Sequence, residues 1–152
     1  MLIIYVDGDA CPAKEDIFKV AARHELQVYL VSNSRLRMNV DKNVHKIQVS
    51  ADFDAVDNWI VERIENADIV ITGDILLADR CLKKGARAIS STGKVFTDKN
   101  IGATKAMREL RAYLRETGEA QSYNSTFSKQ KRSSFLQALE EMIQSIKREW
   151  VK

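Results

Sequence analysis

The stretch Leu2–Asp9 has the sequence LIIYVDGD, in which five consecutive apolar residues are followed at once by two aspartates. A continuous apolar run of this length is typical of a strand that is buried on both faces of a sheet. Residues 70–79, with the sequence VITGDILLAD, repeat the pattern: the apolar run leads to Asp74, and Asp79 follows five residues later. Each stretch therefore predicts a buried strand that ends in acidic residues and turns directly into a helix.

Strand and helix patterns alternate along the rest of the chain. Further strands are predicted at residues 27–32, 46–49, 68–72 and 86–90, with a small edge strand at 94–96. Helices are predicted at residues 12–25, 50–66, 76–84, 100–116 and about 128–150. This alternation is typical of an α/β fold of three layers, in which helices cover both faces of a mostly parallel sheet.

Individual residues indicate where these helices begin, end and face the core. Ser50 and Ser128 are expected to be N-caps, and Gly85 is placed where a left-handed residue ends a helix. Residues 117–125 are expected to be the most flexible stretch. Two apolar stripes should face inward: Met107, Leu110 and Leu114 in one helix, and Phe135, Leu139, Met142, Ile146 and Trp150 in the last helix.

Composition sets the broad class of the protein. The chain has 152 residues, of which 45% are hydrophobic and 30% charged, which suits one soluble domain with a sizeable core. No apolar run approaches the roughly 20 residues that cross a bilayer, so no membrane contact is expected. Cys11 and Cys81 make no disulfide or zinc framework and are expected to be buried, which favours a cytoplasmic location.

Charge is unevenly distributed along the chain. Residues 128–152 hold six Lys/Arg and three Asp/Glu, which equals the formal net charge of +3 for the whole chain. The residues before this tail are therefore neutral overall. A basic tail beside an acidic site suits a polyanionic substrate, but for the tail taken alone a solvated helix face is the favoured explanation.

The two acidic stretches predict one site if their strands are neighbours. Asp7, Asp9, Asp74 and Asp79 would then converge, and Asp54 or Asp57 could reach the same pocket from the helix after Ser50. Clustered carboxylates repel one another, and their oxygens are the ligands that Mg²⁺ and Mn²⁺ prefer. Such ions support in-line phosphoryl displacement.

Helix and turn capping is the structural alternative for each of these aspartates. An aspartate at the end of a strand or the start of a helix commonly accepts hydrogen bonds from backbone N–H groups. For Asp68, at the start of the fourth predicted strand, capping is the only role that the sequence suggests.

A phosphatase hypothesis uses the same residues. Asp7-Gly8-Asp9 resembles the opening motif of haloacid-dehalogenase-type phosphatases, in which Asp7 would be the nucleophile and Asp9 the general acid and base. Ser32 would supply the second-motif hydroxyl, and Gly73 to Asp79 the metal motif. Those enzymes generally insert a loop before the first helix, whereas Pro12 begins a helix here almost immediately.

Three motifs together resemble the YaiI/YqxD family of bacterial proteins. They are VDGDACP at residues 6–12, TGDILLAD at residues 72–79 and FSKQKRSSFL at residues 127–136. Lys131 stands where members of that family often carry an acidic residue. The family has no assigned activity, but it is similar to PIN-like domains, which are compact α/β folds of metal-dependent nucleases. The resemblance implies that Asp7, Asp74 and Asp79 are metal-binding acids, with Asp9 and Asp57 or Asp54 beside them.

These observations predict a single PIN-like α/β domain over residues 1–152 with strand order 3-2-1-4-5 and a basic amphipathic C-terminal helix. The leading hypothesis is a Mg²⁺- or Mn²⁺-dependent nuclease that acts on RNA rather than DNA. Asp7, Asp9, Asp74 and Asp79 would be catalytic, and Asp57 would join the metal ligands. Candidate nucleic-acid contacts, chosen by residue type and position, are Lys14, Arg35, Arg37 and Arg132. A non-catalytic nucleic-acid-binding or regulatory module is the alternative.

Overall fold

The structure is a computed structural model, and it describes residues 2–52, 54–107 and 129–150. Its strands are β1 (Ile3–Asp7), β2 (Gln27–Ser32), β3 (Val44–Gln48), β4 (Ile69–Ile71), β5 (Arg87–Ile89) and β6 (Val95–Phe96). Its helices are α1 (Lys14–Arg23), α2 (Ala55–Arg63), α3 (Ile75–Lys83), α4 (described over 101–107) and α5 (Lys129–Trp150). A short 3₁₀ helix, Gly8–Ala10, follows β1 directly.

One six-stranded sheet forms the centre, in the order β3-β2-β1-β4-β5-β6. All neighbouring strands are parallel except β5 and β6, which are antiparallel. The predicted α/β fold and strand order 3-2-1-4-5 are confirmed, with β6 as the added edge strand. Because β1 lies between β2 and β4, the strand order reverses there, and this is where ligands bind in open parallel sheets.

Alternating side chains of β1 point into two separate cores. Ile4 and Val6 are fully buried on the face that α1 and α5 cover, whereas Tyr5 is buried on the face of α2 and α3. Continuous apolar strands are needed because helices cover both faces. The sheet is thereby the middle layer of three, as the sequence pattern predicts.

The last helix packs its apolar stripe under the sheet. Phe135, Leu139 and Ile146 are fully buried, and Met142 is nearly so, which confirms the predicted inward face. The side chain of Trp150 and the predicted cap Ser128 lie outside the described residues. None of the helices in the described part of the chain combines the length and apolar character needed to span a bilayer.

The bounds of α2 differ most from the prediction. The helix begins at Ala55 rather than after Ser50, because Asp54 at its start has a left-handed backbone (φ 68°) and the Ser50 hydroxyl bonds to Asp52 instead. It ends at Arg63 rather than Asn66, since Ile64 is already extended. The other predicted bounds that fall on described residues agree to within about two residues.

Two further predictions concern side-chain exposure. Met107 was expected to face inward, but its side chain is 49% exposed, so this prediction is wrong. Cys81 is buried as expected, while Cys11 is only partly buried. Leu110, Leu114, the flexible stretch 117–125 and the start of the last family motif, 127–128, lie outside the described residues.

Candidate functional site

A cavity of about 590 Å³ opens beyond the carboxyl ends of β1 and β4. We call it the acidic cavity, because six aspartates line it: Asp7, Asp9, Asp52, Asp54, Asp57 and Asp74. Of its described lining residues, only Arg80 is cationic. The prediction that carboxylates from the two acidic stretches meet here therefore holds for Asp7, Asp9 and Asp74.

Asp7 is the last residue of β1, and Thr72 fixes its side chain. The Thr72 hydroxyl donates to Asp7 Oδ2 at 2.8 Å and accepts from the backbone N–H of Asp74 at 2.9 Å. Burial raises the pKa of the Asp7 carboxyl; the Thr72 hydrogen bond opposes this rise, and the charges of Asp9 and Asp74 add to it. Thr72 thus links the carboxyl ends of β1 and β4.

Asp74 begins α3 as its N-cap. Its Oδ1 accepts from the backbone N–H groups of Leu76 at 2.9 Å and Leu77 at 3.3 Å. The capping alternative is therefore correct for this residue. Capping and a place in the acidic cavity are compatible, because a carboxylate has two oxygens with about four lone-pair sites.

Asp57 reaches the acidic cavity from the first turn of α2. Its pKa is raised to about 6, first by burial and then by the negative charges of Asp74, Asp7 and Asp54, while Arg80 opposes the rise. Neither Asp7 nor Asp57 forms an ion pair with any described residue. The cavity thus holds partly buried like charges that one arginine only partly offsets.

Asp9 forms hydrogen bonds that join two loops. Its carboxylate accepts hydrogen bonds from the hydroxyls of Ser32 and Ser34 and, at 3.2 Å, from the backbone N–H of Asn33. Gly8 permits this approach, since a Cβ there would lie 2.9 Å from a Leu30 methyl group. Asp9 therefore ties the 3₁₀ turn after β1 to the loop after β2.

Asp79 lies apart from the other carboxylates. Its side chain is nearly buried and pairs with Lys105 at 2.7 Å and with Lys83 at 3.1 Å. The hydrogen bond from Lys105, followed by that from Lys83, lowers the pKa of Asp79 despite some desolvation. Asp79 is not among the described lining residues of the acidic cavity.

The four predicted nucleic-acid contacts fall into two groups. Lys14 and Arg132 line a second cavity, formed where α1 and α5 begin. Arg35 and Arg37 are exposed on the loop between β2 and β3. This loop also contributes Asn33 to the acidic cavity and Met38 to the second cavity.

Two site residues were missed by sequence reasoning. Thr72 was recognised only as part of a motif. Its position directly before Gly73-Asp74 was the signal in the sequence that its side chain lies at the site. Arg80 lies one helical turn after Leu76, and both line the acidic cavity. Adjacent helix positions differ by about 100° in direction, so a residue next to Arg80, such as Asp79, points elsewhere.

The donor chemistry of the acidic cavity suits a hard divalent cation. Carboxylate oxygens are the ligands of Mg²⁺ and Mn²⁺, and a cation would offset the burial and the like-charge repulsion that together raise the pKa values of Asp7 and Asp57. Among the described residues, no group of three or more His, Cys, Asp or Glu side chains is arranged to hold a metal ion. A cation there would therefore keep water in most of its coordination positions, as Mg²⁺ commonly does.

The fold and the site define an α/β protein with a carboxylate-lined cavity at the switch point of a parallel sheet. Comparison with known proteins adds the family. The family model described as "Uncharacterized BCR, YaiI/YqxD family" matches residues 5–145. The chain belongs to this family, which confirms the resemblance seen in its motifs.

Bacterial relatives match along nearly the whole chain. A UPF0178 protein of Agrobacterium fabrum is 52% identical over 145 residues, which cover 95% of each chain. A UPF0178 protein of Rhizobium meliloti is 50% identical over 146 residues, covering 96% of this chain and 100% of the relative. No solved structure matches the chain. The similarity to PIN-like domains stays a prediction.

Proposed function

We propose that this protein is a Mg²⁺- or Mn²⁺-dependent nuclease that cleaves RNA in the acidic cavity. One observation carries the proposal: Asp7, Asp57 and Asp74 come from three different elements and line one cavity at the switch point of the sheet. Raised carboxyl pKa values without an ion-pair partner, as for Asp7 and Asp57, are typical of functional sites rather than of structural ion pairs.

Asp7, Asp57 and Asp74 are the proposed ligands of the cation, directly or through bound water. A bound Mg²⁺ or Mn²⁺ would supply activation of water and stabilisation of the oxygens in an in-line phosphoryl displacement. Asp79, which the sequence grouped with them, is left out of this set because Lys105 and Lys83 already neutralise it.

Three other residues have proposed supporting roles. Thr72 orients Asp7 through its 2.8 Å hydrogen bond, and Asp9 positions the turn that follows Asp7. Arg80, whose guanidinium also donates to Asn58 at 3.0 Å, is the proposed contact for a substrate phosphate in the cavity. An arginine presents five N–H donors, so one hydrogen bond leaves most of them available.

A cleavage assay with a mixed-sequence RNA tests the proposal. The full-length chain should cleave it with Mg²⁺ or Mn²⁺ and should not cleave it in chelator, and DNA of the same sequence should be cleaved more slowly. Asp7→Asn keeps an oxygen that accepts from Thr72 but removes the charge, so it should reduce turnover about 100-fold or more. Metal-independent cleavage, or full activity in Asp7→Asn, would contradict the proposal.

A non-catalytic nucleic-acid-binding module is the second candidate. The observation in its favour is that no group of three metal-ligating side chains is found in the described part of the chain. This function predicts RNA binding without turnover in any divalent cation.

The phosphatase alternative makes a different prediction. The Ser32 hydroxyl does contact Asp9, as this alternative requires. However, α1 begins at Lys14, so the segment between Asp9 and α1 is too short for the loop insertion that such phosphatases generally carry. A phosphatase would hydrolyse small phosphomonoesters and form a base-labile phosphoryl group on Asp7, which mass spectrometry after acid quenching would detect.

A further inference from the structure

A second cavity, of about 430 Å³, lies where α1 and α5 begin. We call it the basic cavity, because three cationic side chains line it: Lys14, Lys129 and Arg132. Glu15 and Asp16 also line it, so its lining carries one more positive than negative charge. None of its described lining residues is shared with the acidic cavity.

Arg132 is held in place by a buried carboxylate. Its guanidinium lies 2.7 Å from Asp16 Oδ1; Asp16 is nearly buried, whereas the Arg132 side chain is 51% exposed. This ion pair fixes the arginine at the edge of the basic cavity. Because a guanidinium has five N–H donors, an arginine paired with one carboxylate oxygen can still bind an anion.

The two lysines lack such a partner. Neither Lys14 nor Lys129 forms an ion pair with any residue of the described ranges 2–52, 54–107 and 129–150. The first turn of α1 adds to the positive potential, since Ala13 at its N-cap provides no side-chain hydrogen bond to the free N–H groups. Lysines and a helix N-terminus at one concave surface favour binding of a phosphate.

A third cavity, of about 300 Å³, adjoins both the basic cavity and the acidic cavity. It shares Cys11 with the basic cavity and shares Asp7 and Asp74 with the acidic cavity. Thr72 and Ser91 also line it. Because neighbouring cavities share lining residues, the three cavities lie in a row from the proposed catalytic carboxylates, past Cys11, to the start of α1; we call this row the groove.

We propose that the basic cavity is an anion subsite that holds a backbone phosphate of the same nucleic-acid strand whose scissile phosphate lies in the acidic cavity. This inference rests on the proposed function. It assigns the substrate class as an oligonucleotide strand that spans the groove, rather than a mononucleotide or a small phosphomonoester. The subsite contributes binding energy remote from the reacting bond, so it acts on longer substrates only.

Charge reversal in the basic cavity tests the inference in the full-length chain. The test variant is Lys14→Glu/Lys129→Glu. The matched control is Lys19→Glu/Arg148→Glu, which changes the net charge equally at two exposed positions on the same two helices, outside both cavities. The probe is a fluorescent single-stranded RNA of about 12 nucleotides, a length within the usual single-strand site sizes. Its affinity is measured by anisotropy in two chelator-containing buffers, one at low and one at physiological salt, so that no metal-dependent cleavage occurs during the measurement.

The expected result is a loss of affinity of about tenfold or more in the test variant in both buffers, with a much smaller loss in the control. Cleavage gives a second readout: KM for the long RNA should rise in the test variant, and it should change much less in the control variant. Lys14→Gln/Lys129→Gln, which adds no negative charge, replaces the test variant if its thermal unfolding shows a folding defect.

The possible outcomes separate this inference from the proposed function. Selective loss of RNA binding in a protein that cleaves nothing would support the subsite and contradict the nuclease. Metal-dependent cleavage with equal RNA affinity in the test and control variants would support the nuclease and overturn the subsite. Absence of RNA binding by the wild-type chain in both buffers would overturn the subsite as well.

Discussion

Asp57 and Asp79 are both aspartates on helices that cover the same face of the sheet, but their electrostatic surroundings are opposite. Asp57 lies among negative charges, and its pKa is raised to about 6. Asp79 is nearly buried between Lys105 and Lys83, which hold its pKa below the usual range. The sequence groups both with the predicted metal site, and only Asp57 lies there.

The difference distinguishes aspartates whose charge is neutralised by nearby lysines from aspartates whose charge has no such partner among the described residues. Ion pairs neutralise Asp79, so that its charge contributes to stability. The charges of Asp7 and Asp57 oppose folding, because partly buried like charges repel and are poorly solvated. Placing these two carboxylates in one cavity therefore lowers the stability of the fold. Such a loss of stability is typical of sites that bind a cation or a substrate.

Among the variants that test the contrast between the acidic cavity and the Asp79 environment, Asp74→Asn should have the largest effect, which is on RNA cleavage. Asp74→Asn should reduce turnover about 100-fold, or ~3 kcal/mol, because the side chain loses its charge in the acidic cavity. Asparagine caps helices as well as aspartate does, so stability should change little. Asp79→Asn is the matched variant on the same helix and should keep turnover within about threefold of wild type. Equal losses in both variants would contradict the separation of the two environments.

Asp68 gives a third environment, in which two backbone N–H groups donate hydrogen bonds to a carboxylate. Its side chain is 4% exposed and accepts from the backbone N–H groups of Ile3 and Glu65, each at 3.0 Å. Asp68→Ala should lower the free energy of unfolding by about 2 kcal/mol, because two partly buried N–H groups lose their acceptor. Urea unfolding measures this, and a loss below about 0.5 kcal/mol would show that water replaces the carboxylate.

Asp57→Asn should stabilise the protein in chelator. The folded-state pKa of about 6 exceeds the unfolded value near 4, so ionisation of Asp57 reduces stability as pH rises through this interval. The variant should gain about 1 kcal/mol at pH 7, after allowance for solvent screening, and nothing at pH 4. Thermal unfolding at both pH values measures the gain. The variant leaves the charged neighbours of Asp57 in place, namely Asp74, Asp7, Asp54 and Arg80. Destabilisation at pH 7 would contradict the account.

The smallest effects concern the partners of Asp79. Lys105→Ala should cost about 0.5 kcal/mol and Lys83→Ala about 0.2 kcal/mol, because the Lys105 side chain is 35% exposed and that of Lys83 is 72% exposed. Since the pKa of Asp79 is lowered, these contributions are present above the unfolded pKa near 4 and disappear as pH falls below it. Urea unfolding at pH 7 and pH 3 checks both the order and the pH dependence; the reverse order would contradict the assignment of Lys105 as the main partner.

The fold was largely predictable because it depends on local patterns. Apolar runs, helical stripes and the alternation of strands with helices predict the α/β class. Strand order 3-2-1-4-5 came from the similarity to PIN-like domains, and the observed sheet has this order. Where the prediction of α2 failed, the cause was a side-chain bond between Ser50 and Asp52 and the left-handed backbone of Asp54. Such local side-chain bonds and backbone conformations cannot be read from the sequence pattern alone.

The candidate site was predictable only in part. Asp7 and Asp74 end or follow neighbouring strands, so the topology alone brings them together. The placement of Asp79 depends on the phase of α3 and on Lys105, which is 26 residues away in the chain. Charge pairing over such a separation has no local signal in the sequence, and neither does the position of Arg80 beside Asp57.

Calorimetric titration with Mn²⁺ tests the central claim most directly, namely that the acidic cavity binds a divalent cation and the Asp79 region does not. Wild type and Asp79→Asn should show the same saturable binding at pH 7, and the double variant Asp7→Asn/Asp74→Asn should show none. Binding that persists in the double variant, or disappears in Asp79→Asn, would contradict the account. Absence of binding in the wild type would also contradict it and would leave capping as the role of these aspartates.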